Sequence, residues 1–567
     1  MVDFSFFAVF SLLAVTGVHG FSSPSVPAYN FSMPIDHFNS SDSRTYNNRY
    51  YVNDTYYKPG GPVFFFDNGE AAFTADIAAA WLAESYGPSA VMQLAKKHHG
   101  LAVGWEHRYF GLSFPFPLSF TNNTPTDPLT CSQSDDCTHN PIDAPGSYRF
   151  LTIEQALEDA VYFAHHFKLT DTSGASLKHP ISPNHTPWIW VGGSYPGARA
   201  AWIRLRNPET FYASWASSAP VEVRVDGSAY YDPIERALPQ PCRADIIASV
   251  KHADEIMDGK HGRLAWEKLK KLVYAADKTE YGLKTAYDIS SATSLTREDI
   301  GSALISGWTS NFQDYGPQMT TDVMCRYMEA YDPTSPAKNA RSPEIAILSN
   351  RGGKPTKKGL AATYNPSIAL EAYIYAYSRY ARENIASSAS TDSEDTDSDS
   401  TVDNASWQWI VEKEFGIFEG SNPRNISIVS HWYNYTAVRK ETGEAFDFNA
   451  TKVFAHGPNL SKVLKYGGWD MNPSNVMFTE GEFDPWRAYS VMSQEYSIGA
   501  PQRKVVQTVP ACNKAPEHGD VFGVVHNGTT HAQDLSGDLS DKTSPMVRGL
   551  NLFTSALDSW LPCFESH

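Results

Sequence analysis

Short, almost wholly apolar runs punctuate the first 200 residues: Pro62-Val63-Phe64-Phe65-Phe66, Leu101-Ala102-Val103-Gly104-Trp105 and Trp188-Ile189-Trp190-Val191. Four or five residues long and rich in aromatic and β-branched side chains, they read as strands buried on both faces. Between them, 75–83 and 153–167 carry apolar positions at helical spacing. Strand alternating with helix predicts an α/β fold with a largely parallel sheet. A comparable run, Asn475-Val476-Met477-Phe478, returns near the C-terminus, so the sheet resumes late. From about 225 to 470 the pattern is helical instead, as in 244–257, 265–276 and 368–383. This predicts a core in two parts, 21–225 and 470–567, split by a mostly helical insertion over 226–469.

Composition adds three things to that picture. A chain of 567 residues exceeds what one hydrophobic core usually holds, which agrees with an inserted domain. The acidic, Ser/Thr-rich stretch 387–404 (SSASTDSEDTDSDSTVDN) has too little apolar surface to offset its ordering entropy, and predicts a disordered loop. A formal charge of −17 argues against nucleic acid or an anionic membrane surface as partner and is tolerable for a protein working in acid, where carboxylates protonate.

The N-terminus, an apolar stretch over 4–18 followed by His19-Gly20, resembles a signal peptide over 1–20, with Val18 and Gly20 as the small residues before the cut. Beyond it no run is long and apolar enough for a spanning helix. N-x-S/T sequons occur at Asn30, Asn39, Asn53, Asn122, Asn184, Asn404, Asn425, Asn434, Asn449, Asn459 and Asn527, 11 of 27 asparagines, which fits an exported glycoprotein. The six cysteines, Cys131, Cys137, Cys242, Cys325, Cys512 and Cys563, lack metal-ligand spacing, so disulfides are expected. Of fifteen connectivities the simplest pairs Cys131–Cys137, Cys242–Cys325 and Cys512–Cys563.

The stretch Trp188 to Ala200 carries the chemistry. An apolar strand enters Gly192-Gly193-Ser194-Tyr195-Pro196-Gly197 and continues into a helix-forming segment, the setting of a nucleophile elbow. Small residues are needed there because strand and helix backbones pass closely. Pro196 departs from G-x-S-x-G, yet proline fits a helix's first turn, and Tyr195 keeps the N–H that donates to an oxyanion.

Several separated segments then match in order: 31–38 (FSMPIDHF), Asn48-Arg49-Tyr50, Gly60-Gly61-Pro62, 106–111 (EHRYFG), Gly193-Ser194-Tyr195, 481–486 (GEFDPW) and 531–535 (HAQDL). Together they resemble the S28 serine peptidases, the family of prolyl carboxypeptidase, dipeptidyl-peptidase II and fungal acid prolyl endopeptidases. The resemblance implies an α/β-hydrolase core with a helical cap, and cleavage after proline. It also implies Asp484 as the triad acid and His531 as the base, in the order Ser, Asp, His; His526, the near alternative, precedes a sequon and is expected on an exposed loop.

Tyr195 N–H is one expected oxyanion donor, and Gly69 or Glu70 N–H, in the loop after Phe66, the other. Glu70 is also a candidate for holding a substrate amino terminus, and Trp486 for lining a proline pocket. Glu106, Arg108 and Tyr109 read as a structural ion-pair cluster. No metal or nucleotide motif occurs, so no cofactor is expected. The partner is a proline-containing peptide or protein, and monomer and homodimer both fit. A secreted esterase or lipase, and a non-catalytic hydrolase-like binding protein, remain the alternative readings, as do secretion and a vacuolar or lysosomal compartment for location.

Overall fold

A computed structural model describes residues 26–85, 87–116, 119–121, 124–126, 145–169, 180–280, 294–330, 358–388, 400–422, 427–446 and 449–565. The expected leader over 1–20, with Cys131, Cys137, Asn122 and Asn425, falls outside these. Two compact units result. The first takes the described residues up to Val225, those leading to Ile417 and those from Thr442; the second takes those from Asp226 to the end of the long helix at 388, and from Phe418 to Glu441.

One nine-stranded sheet organises the first unit. Its strands are β1 (Ala28–Pro34), β2 (Thr45–Asn53), β3 (Val63–Asp67), β4 (Leu101–Trp105), β5 (Trp188–Gly193), β6 (Phe211–Ser217), β7 (Val476–Gly481) and β8 (Val521–His526), in the order β1-β2-β4-β3-β5-β6-β7-β8, with Val505–Val506 at the far edge. β1 and β2 pair antiparallel with their neighbours and the rest are parallel, the α/β-hydrolase arrangement. Every residue of β3 to β7 is buried, which explains why these strands read as unbroken apolar runs. Helices α1 (Ala75–Ala83), α2 (Ala90–His98), α3 (Ile153–His166) and α4 (Tyr195–Arg206) cross between strands. Thr74 and Thr152 cap α1 and α3 by accepting hydrogen bonds from Ile77 N and Gln155 N.

The second unit is helical: α5 (Cys242–Met257), α6 (Gly262–Glu280), α7 (Arg297–Thr309), α8 (Thr321–Glu329) and α9 (Pro366–Ser388), with α9 packed along α5, α6 and α8. The expected Cys242–Cys325 disulfide ties the start of α5 to α8. Buried Asp245 accepts hydrogen bonds from Leu360 N and Ala361 N at 2.6 and 2.8 Å.

The structure redraws two sequence expectations. Of the 226–469 insertion, residues 400–417 and those from Thr442 onward belong to the sheet-bearing unit. Helical periodicity reveals a helix but not what it packs against. Of the expected disordered loop over 387–404, residues 389–399 lie outside the described residues, while 387–388 finish α9 and 400–404 begin α10 (Ser400–Ile410). Asp403 on α10 is buried, with its carboxylate accepting from Ala72 N (2.8 Å) and Gly111 N (2.9 Å), so its polarity serves two backbone amides rather than solvent.

Candidate active site

Ser194 stands between β5 and α4 with φ 64° and ψ −133°, a backbone conformation that costs an L-residue about 1–3 kcal/mol and persists only where its surroundings enforce it. Those surroundings are visible. Ser194 N–H donates to Ser217 O at 2.9 Å, and Ala198 N–H to Ser194 O at 2.9 Å. A Cβ on Gly192 would fall 2.6 Å from Pro196 O, and one on Gly197 2.4 Å from Ser217 O. Only glycine lets the strand and helix approach this closely.

Pro196 occupies the first turn of α4, as expected, and does something more. A Cβ on Gly69 would lie 2.3 Å from its Cγ, so the loop after β3 rests directly on the proline ring. The expected oxyanion residues Tyr195, Gly69 and Glu70 therefore converge on the elbow. Gly69 N–H lies 3.3 Å from Asp67 Oδ1, and Glu70 N–H faces its own carboxylate.

The loop after β3 is anchored by charge. Asp67 meets Arg199 of α4 through Nη1 at 2.9 and 3.1 Å, and both side chains are fully buried. Burial pushes the Asp67 carboxyl up to about 6, against the pull of the guanidinium. Tyr195 is fixed from the other side. Its hydroxyl lies 3.2 Å from His107 Nε2, and His107 Nδ1 lies 2.7 Å from Arg108 O, so the imidazole donates to the carbonyl and accepts from the tyrosine. Burial and the nearby Arg199 hold that imidazole neutral, well below the usual range.

Asp484 follows β7 and His531 follows β8. The two loops are joined by Glu482 N→His526 O (2.9 Å) and Phe483 N→Thr529 O (3.0 Å), and a Cβ on Gly481 would strike Thr530 O at 2.2 Å. His531 Nδ1 lies 3.0 Å from both Asp484 oxygens. A carboxylate only accepts, so Nδ1 carries the proton and Nε2 is the ring's basic nitrogen. Trp486 N–H also donates to Asp484 Oδ1, at 2.9 Å, and the half-exposed Trp486 ring lies 6.4 Å from the imidazole of His531. Ser194, Asp484 and His531 thus follow the C-terminal ends of β5, β7 and β8, where open α/β sheets build their sites.

His526 is not on an exposed loop, as its sequon suggested. It ends β8 buried, its Nδ1 2.9 Å from Pro545 O and Nε2 3.5 Å from Asp534 Oδ2, because the strand continues one residue further than its apolar run. Asp534 also accepts from Ser217 Oγ at 2.5 Å, and Ala532 N–H donates to Ser218 Oγ at 2.7 Å, so the His531 loop is moored to β6. Burial raises the Asp534 carboxyl, but bonds to His526, Ser217 and Thr479 outweigh it and lower the pKa. Glu106 and Arg108 are buried pairs as read, though with partners outside their own motif: Arg49 at 2.5 Å and Asp159 at 2.6 Å. Tyr109 OH donates to Ser147 O at 2.6 Å.

Glu70 is half-buried beside these groups. Burial pushes its carboxyl up to about 7, a rise opposed by the charge of His531. Sequence reasoning missed Arg199, Asp67, Asp403 and Asp534 as parts of the site's frame. One signal was available: Arg199 is the lone charge in the run 197–203, otherwise small or apolar.

Other proteins share this chain's pattern. The family described as serine carboxypeptidase S28 matches residues 33–134 and 141–501, spanning Ser194 and Asp484 and stopping short of His531. The serine protease vicPb of Bipolaris victoriae is 27% identical over 507 residues, covering 87% of this chain and 84% of its own. A probable extracellular serine carboxypeptidase of Arthroderma benhamiae is 27% identical over 540 residues, 89% of this chain and 64% of its own. The human thymus-specific serine protease is 34% identical over 210 residues, 36% and 32% of the two chains. Among solved structures, a proline iminopeptidase of Mycobacterium smegmatis covers 94% of this chain and 99% of its own at 12% identity and a TM-score of 0.30. With the family match running over most of its length, this chain belongs to the S28 family of serine peptidases.

Proposed function

We propose that this chain cleaves peptide bonds on the carboxyl side of proline, at acidic pH and after export, with Ser194 as nucleophile, His531 as base and Asp484 as its orienting acid. The observation that carries the reading is the imidazole of His531, held through Nδ1 by both Asp484 oxygens, in the same strand-end row as the strained elbow serine.

In the proposed reaction Ser194 Oγ attacks the scissile carbonyl while His531 Nε2 takes its proton. The tetrahedral oxyanion is held by Tyr195 N–H and by a second N–H from Gly69 or Glu70. His531 then gives the proton to the leaving amine, the C–N bond breaks, and water hydrolyses the acyl-enzyme by the same route in reverse. Trp486 lines the proline subsite, where a flat aromatic face suits the pyrrolidine ring. In this reading Glu70 meets a substrate amino terminus, and an ammonium there would hold its carboxylate charged.

Export is supported by the leader-like N-terminus, by two disulfides and by the exposure of Asn30, Asn39, Asn184, Asn449, Asn459 and Asn527; Asn53, Asn404 and Asn434 are half-buried. No helix among the described residues is long and apolar enough to cross a membrane. The extracellular serine carboxypeptidase among the relatives agrees with both location and activity.

The test is to incubate purified protein at pH 4–5 with a proline-containing peptide blocked at both ends, its unblocked counterparts and a simple ester. Cleavage after proline, abolished by Ser194→Ala, is the expected result, and the blocked peptide separates endopeptidase from exopeptidase. Ester hydrolysis without peptide cleavage would sink the proposal.

A further inference from the structure

The C-terminal end of α5 carries a cluster that the peptidase chemistry does not use. His252 and Glu255 are three residues apart, which on a helix puts them on one face. The helix then ends in a tight reversal: Gly259 N–H donates to Ile256 O and Lys260 N–H to Glu255 O, both at 3.0 Å, with Gly259 at φ 86°. This left-handed glycine closure folds the chain back over its last turn. It delivers His261, immediately before α6, beside the pair.

The result is compact. One ligand atom from each of His252, Glu255 and His261 can be chosen so that all three lie within 4.8 Å of one another. His261 Nε2 is 3.5 Å from Glu255 Oε2, and the two imidazoles are 4.7 Å apart, inclined at 69°. A tetrahedral zinc site with bonds of about 2.0–2.1 Å needs ligand atoms about 3.3 Å apart, so small rotamer adjustments close the set around an ion. His252 and Glu255 are half-buried and His261 is exposed. An ion here would therefore be held from the protein side while keeping its outer position in water.

From this geometry we propose that His252, Glu255 and His261 bind a borderline divalent transition ion, Zn²⁺ above all, through a two-imidazole, one-carboxylate set with water as fourth ligand. Two imidazoles and one carboxylate suit zinc rather than calcium or magnesium, which prefer all-oxygen shells. Burial and the neighbouring His261 lower the His252 pKa, against the pull of Glu255, and so favour the neutral imidazole that a metal requires. The site lies within the helical unit, and its action is to lock the α5–α6 reversal; it is independent of Ser194.

The test uses the full chain, without a histidine tag and stripped with chelator, titrated with Zn²⁺ by calorimetry and with Co²⁺ by visible absorption. One equivalent is expected to bind and raise the unfolding midpoint, with the intense visible bands of four-coordinate Co²⁺. His261→Ala and Glu255→Gln, both at solvent-reached positions, should each weaken binding by more than about 100-fold, since loss of even an outer-shell partner costs 10–100-fold, while the metal-free midpoint stays put. His431→Ala should leave binding intact, because His431 lies in a separate cluster with Asp254 and Asp258. Unchanged Zn²⁺ affinity in His261→Ala, or loss only in His431→Ala, would overturn the assignment, as would the absence of saturable binding.

Discussion

The elbow around Ser194 and the loops after β3 and β4 flank the same candidate site but are built by different physics. The elbow is steric. Gly192, Gly197 and Pro196 remove side-chain atoms or fix a dihedral, so that a strand can turn into a helix around a strained serine. The loops are electrostatic: Asp67–Arg199, Glu106–Arg49 and Arg108–Asp159 are buried ion pairs, and Asp403 reaches across 331 residues of chain to cap Ala72 N. A steric device tolerates no added atom. An electrostatic one tolerates shape changes but fails when one partner is removed, because the other is then left charged in a dry interior.

Each half of that contrast can be broken separately. The largest effect is expected at the chemistry both halves serve. Asp484→Asn should lower kcat about 10⁴-fold, as loss of the tautomer-fixing acid does in such triads, with little change in the unfolding midpoint. Next, Arg199→Met should cost about 3–5 kcal/mol in urea unfolding by stranding Asp67, and Asp67→Leu in the same chain should restore part of that loss. Gly197→Ala, which places a Cβ 2.4 Å from Ser217 O, should cost about 1–3 kcal/mol, with no partner mutation able to restore it. Asp403→Ala should cost a similar or smaller amount, about 1–3 kcal/mol for one buried and one half-buried amide left without a partner, and should lower kcat more than it raises KM if the oxyanion loop is what it holds.

A different readout is the pH profile of stability. Glu70 and Glu419 are raised by burial from an ordinary 4.5 to about 7 and about 8, so folding favours their protonated forms. Their contribution is complete below pH 4.5 and is lost as pH rises through 7 to 8. Asp159 runs the other way. Burial alone would raise it, but Arg108 and His37 hold it at about 2, so its contribution is lost as pH falls from 3.8 toward 2. Thermal midpoints measured across this range should therefore peak near pH ~4, and Glu70→Gln should flatten the alkaline limb.

What could be read from the sequence follows the same division. Strands β3, β4, β5 and β7 declared themselves because burial on both faces leaves unbroken apolar runs, and the elbow did because its constraints act between residues adjacent in the chain. The partners of Glu106 and Arg108 could not be read, since Arg49 and Asp159 lie 57 and 51 residues away. Asp403 was harder still. Set at the edge of an acidic, low-complexity stretch, it looked like solvated charge, and only the fold shows that α10 buries it. His526 was misjudged because a sequon marks the residue after it, and one exposed neighbour says nothing of the strand's last inward-facing position.

The Cys512–Cys563 disulfide closes a segment of 51 residues that contains β8, His531 and the C-terminal helix Val547–Trp560. Inside that bracket Ser540 to Thr543 form an exposed turn, the kind of place where a foreign protease cuts first. A single cut there would leave both halves of the segment covalently attached to the remainder of the chain. Wherever such a protease is met, the bridge turns a lethal break into a nick. Clipped molecules would stay assembled around His531, and only a reducing gel would reveal that they had been cut.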